Sequence, residues 1–157
     1  MTDLIKPETY LEIETDPAEL ERMLNLKHVF SPGLYLREVT VPEGKLIIGH
    51  HHRHRHLNVF LKGKMILFKP DGIGTVVKAP MVFTGDPGRK VVYAIEESMW
   101  MNIYATDETD IKRLELTYVD VEAPWPEGKA ILKKILSGDA VNQIIQGDKL
   151  CLGEALQ

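Results

Sequence analysis

Five of the six histidines lie between His50 and His56, and only His28 stands apart. Neutral imidazoles gathered in one place bind divalent metal ions or carry protons, so this run is where chemistry is sought first. In a straight strand His50, His52, His54 and His56 would share a face. At about 3.3 Å per residue, however, His50 and His56 would then be roughly 20 Å apart, too far to serve one ion whose ligands sit at about 2.0–2.1 Å. A reversal around Arg53 to Arg55 removes the difficulty. His50 and His52 then sit on one strand and His56 returns on the next, with His51 and His54 at the surface. Arg53 and Arg55 disfavour protonated imidazoles nearby, and three histidines without a carboxylate carry an excess of positive charge around a cation.

The elements that must position this run read as short strands. Segments rich in Val, Ile, Leu and Tyr are broken at Pro32-Gly33, Pro42 to Gly44, Gly63, Pro70 to Gly74, Gly85 to Gly88 and Glu96-Glu97. Strands are predicted over Leu34–Val41, Lys45–His52, His56–Lys62, Lys64–Lys69, Gly74–Lys78, Lys90–Ile95, Ser98–Ala105 and Leu114–Val121. Short strands joined by tight turns without intervening helices pair antiparallel, so the fold class is all-β, a sandwich or barrel. Asp16, Pro17 and Glu19 have the spacing of a helix start, which predicts a helix from Thr15 to Asn25 facing inward with Leu20, Met23 and Leu24. Lys129–Leu136 and Ala140–Ile145 have helical spacing, and Trp125 between two prolines reads as a hydrophobic anchor for that tail. The division is an N-terminal helical segment (1–29), a barrel (30–121) and a helical C-terminal extension (122–157). Met99, Trp100 and Met101 read as core on both faces of a strand, and Asp110 or Thr109 as the cap of a turn or short helix.

A net charge of −4 and a pI near 5.9 argue against a nucleic-acid binder, which needs clustered Lys and Arg. No apolar run approaches the roughly 20 residues that span a bilayer, and charges and Pro7 interrupt the N-terminus where a signal peptide would lie. The single Cys151 forms no internal disulfide, so a cytoplasmic setting is expected. No nucleophile elbow or phosphate-binding glycine loop occurs.

The spacing Gly44, His50, His52, His56, Gly63 resembles the first motif of the cupin superfamily, with His56 where that motif has glutamate. The resemblance covers roughly residues 30–121 and implies a cupin-type double-stranded β-helix, a jelly-roll barrel. In the second motif, aligned on Gly88, the usual glycine is Pro80, the proline Asp86, the histidine ligand Val91 and the asparagine Ile95. Tyr93, Asn102 and Tyr104 are alternatives for the missing donor. The chain is more closely similar to small cupin-like proteins of tailed bacteriophages, through Gly49, His52, His56-Leu57-Asn58, Lys62-Gly63, Ala79-Pro80, Pro87-Gly88, Lys90, Tyr93-Ala94, Glu96-Glu97, Trp100 and Thr106 to Asp110. Arg55 stands where that family has glutamate, and Tyr104 where it tends to have histidine.

The candidate metal ligands are therefore His50, His52, His56 and Tyr104, for a divalent ion such as Fe, Mn, Ni or Zn. Two functions remain open. One is a non-catalytic phage accessory protein, either a virion-associated or interaction module or a small-molecule binder, in the host cytoplasm or the virion. The other is a metal-dependent cupin enzyme, an oxygenase or isomerase acting on a small polar substrate. Lost ligands on a retained scaffold weigh toward the first. The expected partners are a small-molecule ligand, a second copy in a homodimer, and a phage or host protein, with neither nucleic acid nor membrane.

Overall fold

The computed structural model describes residues 21–69, 72–120 and 122–136. Their elements are β1 (Lys27–Ser31), β2 (Leu34–Val41), β3 (Leu46–His52), β4 (His56–Lys62), β5 (Lys64–Phe68), β6 (Gly74–Lys78), β7 (Met81–Gly85), β8 (Gly88–Ala94), β9 (Ser98–Ala105), α1 (Ile111–Tyr118), β10 (Val119–Asp120) and α2 (Gly128–Leu136). One sheet runs β1-β2-β9-β4-β7 and the other β10-β3-β8-β5-β6, with every pairing antiparallel. Strands β2 to β9 thus alternate between the sheets except at the β5–β6 hairpin, as two interlocked Greek keys, the jelly-roll form of the double-stranded β-helix.

Alternation along the strands builds two apolar layers. Val41, Phe60, Met65, Val77, Ala94 and Trp100 fill the space between the sheets, together with Leu24. Leu46, Ile66, Phe68, Val76 and Val91 point out of the second sheet and are covered by Ile131 and Leu132 of α2, with Trp125 packed beside them. The tail thus anchors on its own barrel, and Trp125 is the anchor expected of it. Gly128 allows the close approach, since a Cβ there would run into the Trp125 ring. Leu132→Ala is expected to cost about 2–3 kcal/mol, the usual toll of a buried leucine. Denaturant unfolding checks this, and a loss below about 0.5 kcal/mol would show that α2 does not seal the layer.

Several expectations are corrected. Of the strand expected at Leu114–Val121, residues 114–118 belong to α1 instead and only Val119–Asp120 is a strand, the short β10. The Asp110 side chain accepts from Arg113 N at 3.1 Å and caps the helix. Helical spacing puts Leu114 and Tyr118 together against Tyr35 and Tyr104, whereas Leu116, which strand alternation would bury with them, is 74% exposed. β7 is an additional strand, with Met81 and Phe83 packed toward the core while Val82 and Thr84 are exposed. β1 adds an edge beyond β2. Trp100 is buried, but Met99 and Met101 are only half-buried on the opposite face. Glu21 to Met23 are helical; the rest of the helix predicted from Thr15, the helix predicted at Ala140–Ile145, and Cys151 lie outside the described residues.

Candidate functional site

The turn at Arg53 to Arg55 does reverse the chain, and it also carries it from one sheet to the other. Arg53 N donates to Tyr118 O at 2.9 Å and Arg53 Nε to Val119 O at 3.2 Å, while Arg55 pairs with Asp86 at the surface at 3.0 Å. Both guanidinium groups are thereby engaged away from the imidazoles. A bulge between Ile48 and His51 adds one residue to β3 against β8. Ile47 faces the interior before it and His52 after it, although they differ in parity. His51 is turned outward beside Arg89, and His54 is exposed with its ring edge toward Tyr118.

His52 and His56 therefore meet across the two sheets, their rings stacked at 4.3 Å and 23°. Tyr104 lies over His56 at 5.4 Å, and its hydroxyl is 3.2 Å from His52 Nδ1. All three are buried. His56 Nδ1 donates to the His54 carbonyl at 3.1 Å, so in the neutral ring the lone pair sits on Nε2. That nitrogen faces Lys90 Nζ at 3.5 Å. Lys90 Nζ also donates to Asn58 Oδ1 at 3.2 Å, and the same oxygen accepts from Trp100 Nε1 at 2.9 Å. Asn58 Nδ2 donates to the His56 carbonyl at 3.3 Å, which joins the two clusters. Gly85 makes the room: a Cβ there would come within 2.5 Å of both Lys90 Nζ and Asn58 Nδ2.

Burial sets the charge states. Desolvation, reinforced by His56, Lys90, Arg37 and His50, lowers the His52 pKa from 6.5 to about 3, and desolvation also lowers that of His56 against the opposing pull of the His54 carbonyl. The Lys90 pKa falls to about 8, chiefly by burial and against the pull of Asp86, and burial raises that of Tyr104. The histidine pair is thus neutral at pH 7.

Beside this cluster lies a cavity of about 150 Å³. Its polar wall is Arg37, His50, His52, Lys90, Trp100 and Asn102, its other side is largely aliphatic, and no carboxylate among the described residues lines it. Arg37 Nε is buried and has no hydrogen-bond partner among the described residues.

A divalent ion would need several lone pairs converging at about 2.0–2.1 Å. In the stacked pair, His52 Nδ1 is engaged by Tyr104 and His56 Nε2 faces an amine. His50 is exposed at the rim. Among the described residues no group of three or more His, Cys, Asp or Glu is arranged to hold a metal. The structure gathers His52, His56 and Tyr104 and puts His50 at the rim of the cavity that His52 also lines, and this donor set does not fit a metal ion.

No protein-family model matches the chain, and no curated protein matches it. Solved structures do. The barrel has the fold of the cupins. An uncharacterized conserved protein with a double-stranded β-helix domain from Klebsiella pneumoniae is 15% identical at a TM-score of 0.46, with 62% of this chain and 85% of that one covered. An RmlC-like cupin family protein from Methanocaldococcus jannaschii is 14% identical at 0.44, covering 51% and 77%. KdgF from Halomonas sp. is 16% identical at 0.43, covering 53% and 80%. Such identities speak to fold alone, and the fold assignment here stands on the strand order.

Arg37, Asn58 and Lys90 are site residues to which the sequence reading gave no chemical role, and Asn102, named there as an alternative donor, lines the cavity. At the usual ligand position Val91 packs outward under α2, and it is Lys90 that enters the barrel. The signal was present as alternation: Lys90 shares a face with Val92 and Ala94, both packed inside.

Proposed function

We propose that this protein is a non-catalytic, metal-independent binder of a small carboxylate, of the accessory type that tailed bacteriophages encode. The cavity carries the reading: two cationic side chains, Arg37 and Lys90, share an otherwise largely aliphatic chamber that no carboxylate among the described residues lines. Buried cationic donors are costly unless an acceptor meets them, and the partnerless Arg37 Nε is such a donor. A ligand with one anionic end and a short apolar body supplies what is lacking. A chamber of about 150 Å³ suits a ligand of about six non-hydrogen atoms, the size of benzene. The phage assignment is supported by the motif run through His52, His56, Asn58 and Lys90. A homodimer in the host cytoplasm completes the reading. It is supported by Leu34, Leu57, Leu61 and Val82, exposed on β2, β4 and β7 of the first sheet, and by the lone cysteine. No helix among the described residues is long and apolar enough to cross a membrane.

The test is thermal unfolding with a series of small carboxylates in the presence of EDTA. Ligand at about 100 times its Kd adds about 2.7 kcal/mol, raising Tm by roughly 5–10 °C, and Arg37→Gln should abolish most of that shift. Stabilisation by Fe, Mn, Ni or Zn that exceeds that by every carboxylate, and that His52→Ala removes, would overturn this reading in favour of a metal-dependent enzyme.

A further inference from the structure

Lys90 is seated as a reactive amine would be. Lys90 lines the cavity, and its Nζ rests on Asn58 Oδ1 in space that only a glycine at position 85 leaves open, with the lone pair of His56 Nε2 beside it. The Nδ1 donation to the His54 carbonyl holds the His56 ring with that lone pair toward the amine. Arg37 stands in register with Asn102, and Asn102 with Asn58 on β4. Two strand spacings, about 10 Å, thus separate the Arg37 backbone from that of the residue holding Lys90. Two long cationic side chains bordering one chamber can engage both ends of one small molecule. Arg37 suits a carboxylate, and an amine with a neighbouring base suits a carbonyl carbon.

We propose that Lys90 captures a small 2-oxo acid as a reversible imine, with Arg37 binding its carboxylate and His56 moving the proton. This rests on the carboxylate reading above and deepens it. His56 Nε2 takes a proton from the ammonium. The freed Nζ lone pair forms a C–N bond as the carbonyl π pair moves to oxygen. His56 returns its proton to that oxygen and then relays a second from Nζ to it, so that one water leaves with the C–O bond pair while the Nζ lone pair closes a C=N bond that keeps the third proton. No electron is gained or lost overall, and hydrolysis reverses the sequence.

The experiment treats the full-length protein with pyruvate and sodium borohydride, followed by intact mass and peptide mapping. One reduced adduct is expected, on the peptide carrying Lys90, about tenfold above any surface lysine. Lactate, which lacks the carbonyl, should raise Tm as a carboxylate does, compete with labelling and leave no adduct. Lys90→Arg should lose the adduct whatever it does to the lactate shift, and mapping on the unaltered protein decides the matter if that variant does not fold. If pyruvate and lactate both raise Tm but Lys90 stays unlabelled, or if label spreads evenly over surface lysines, imine capture is overturned and the binding reading stands. If neither acid binds and no adduct forms, both are overturned.

Discussion

Replacing Asn58 with leucine is expected to destabilise the protein by roughly 3–5 kcal/mol, the largest effect of any single polar substitution at the site. The volume hardly changes and the residue is fully buried, so the cost is not a cavity. It arises because Oδ1 serves two donors at once: Trp100 Nε1 at 2.9 Å and Lys90 Nζ at 3.2 Å. Without that oxygen the indole N–H is left unpaired in the core and the amine loses its direct acceptor. Trp100→Phe in the same background separates the two terms. It removes one orphaned donor, so the pair of changes together should cost less than the sum of the singles. Equilibrium urea unfolding reads both, and a loss below about 1 kcal/mol for the leucine variant would show that Asn58 is not the hub joining the clusters.

Acid should weaken the fold through His52 before it titrates most carboxylates. Its pKa is about 3 in the folded protein against 6.5 in the unfolded chain, so between those values the unfolded state binds more protons and stability falls as pH falls. The contribution is fully present above about pH 6.5 and fully lost below about 3. At about 1.4 kcal/mol per unit, acidification to pH 4.5 should cost on the order of 2–3 kcal/mol. The lowered pKa of His56 acts in the same direction. His52→Asn carries no titrating proton, so its stability should change less between pH 7 and 4.5 by that amount. Parallel pH profiles for the two proteins would instead mean that His52 is solvated and protonates freely when folded.

Much of this architecture is legible in the linear chain, because the strands are short and the breakers between them are strong. β2, β4, β6 and β9 have the predicted bounds, and β3, β5 and β8 lie within two residues of theirs. Segments carrying two periodicities at once are harder. Leu114, Leu116 and Tyr118 alternate like a strand while Leu114 and Tyr118 also stand a helical turn apart, and the Asp110 cap together with the aromatic surface offered by Tyr35 and Tyr104 decides for the helix. β1 and β7 have patterns too brief to declare themselves, and they are strands because β2 and β4 offer free edges to them.

By itself, the sequence determined the all-β class, the positions of most turns, the reversal within the histidine run and the meeting of His52 with His56. These follow from local chemistry: which residues tolerate turns, and which alternate. Only the tertiary structure decided that β3 bulges before His51, that β3 and β4 belong to different sheets, and that Lys90 rather than Val91 enters the barrel. The side-chain period of a strand is two residues, so one inserted residue or a register shift of one exchanges its two faces completely. Where that residue is inserted is set by the partner strand, many positions away in the chain. The same non-local pairing turns a histidine run with the spacing of a metal site into a stacked neutral pair that faces an amine.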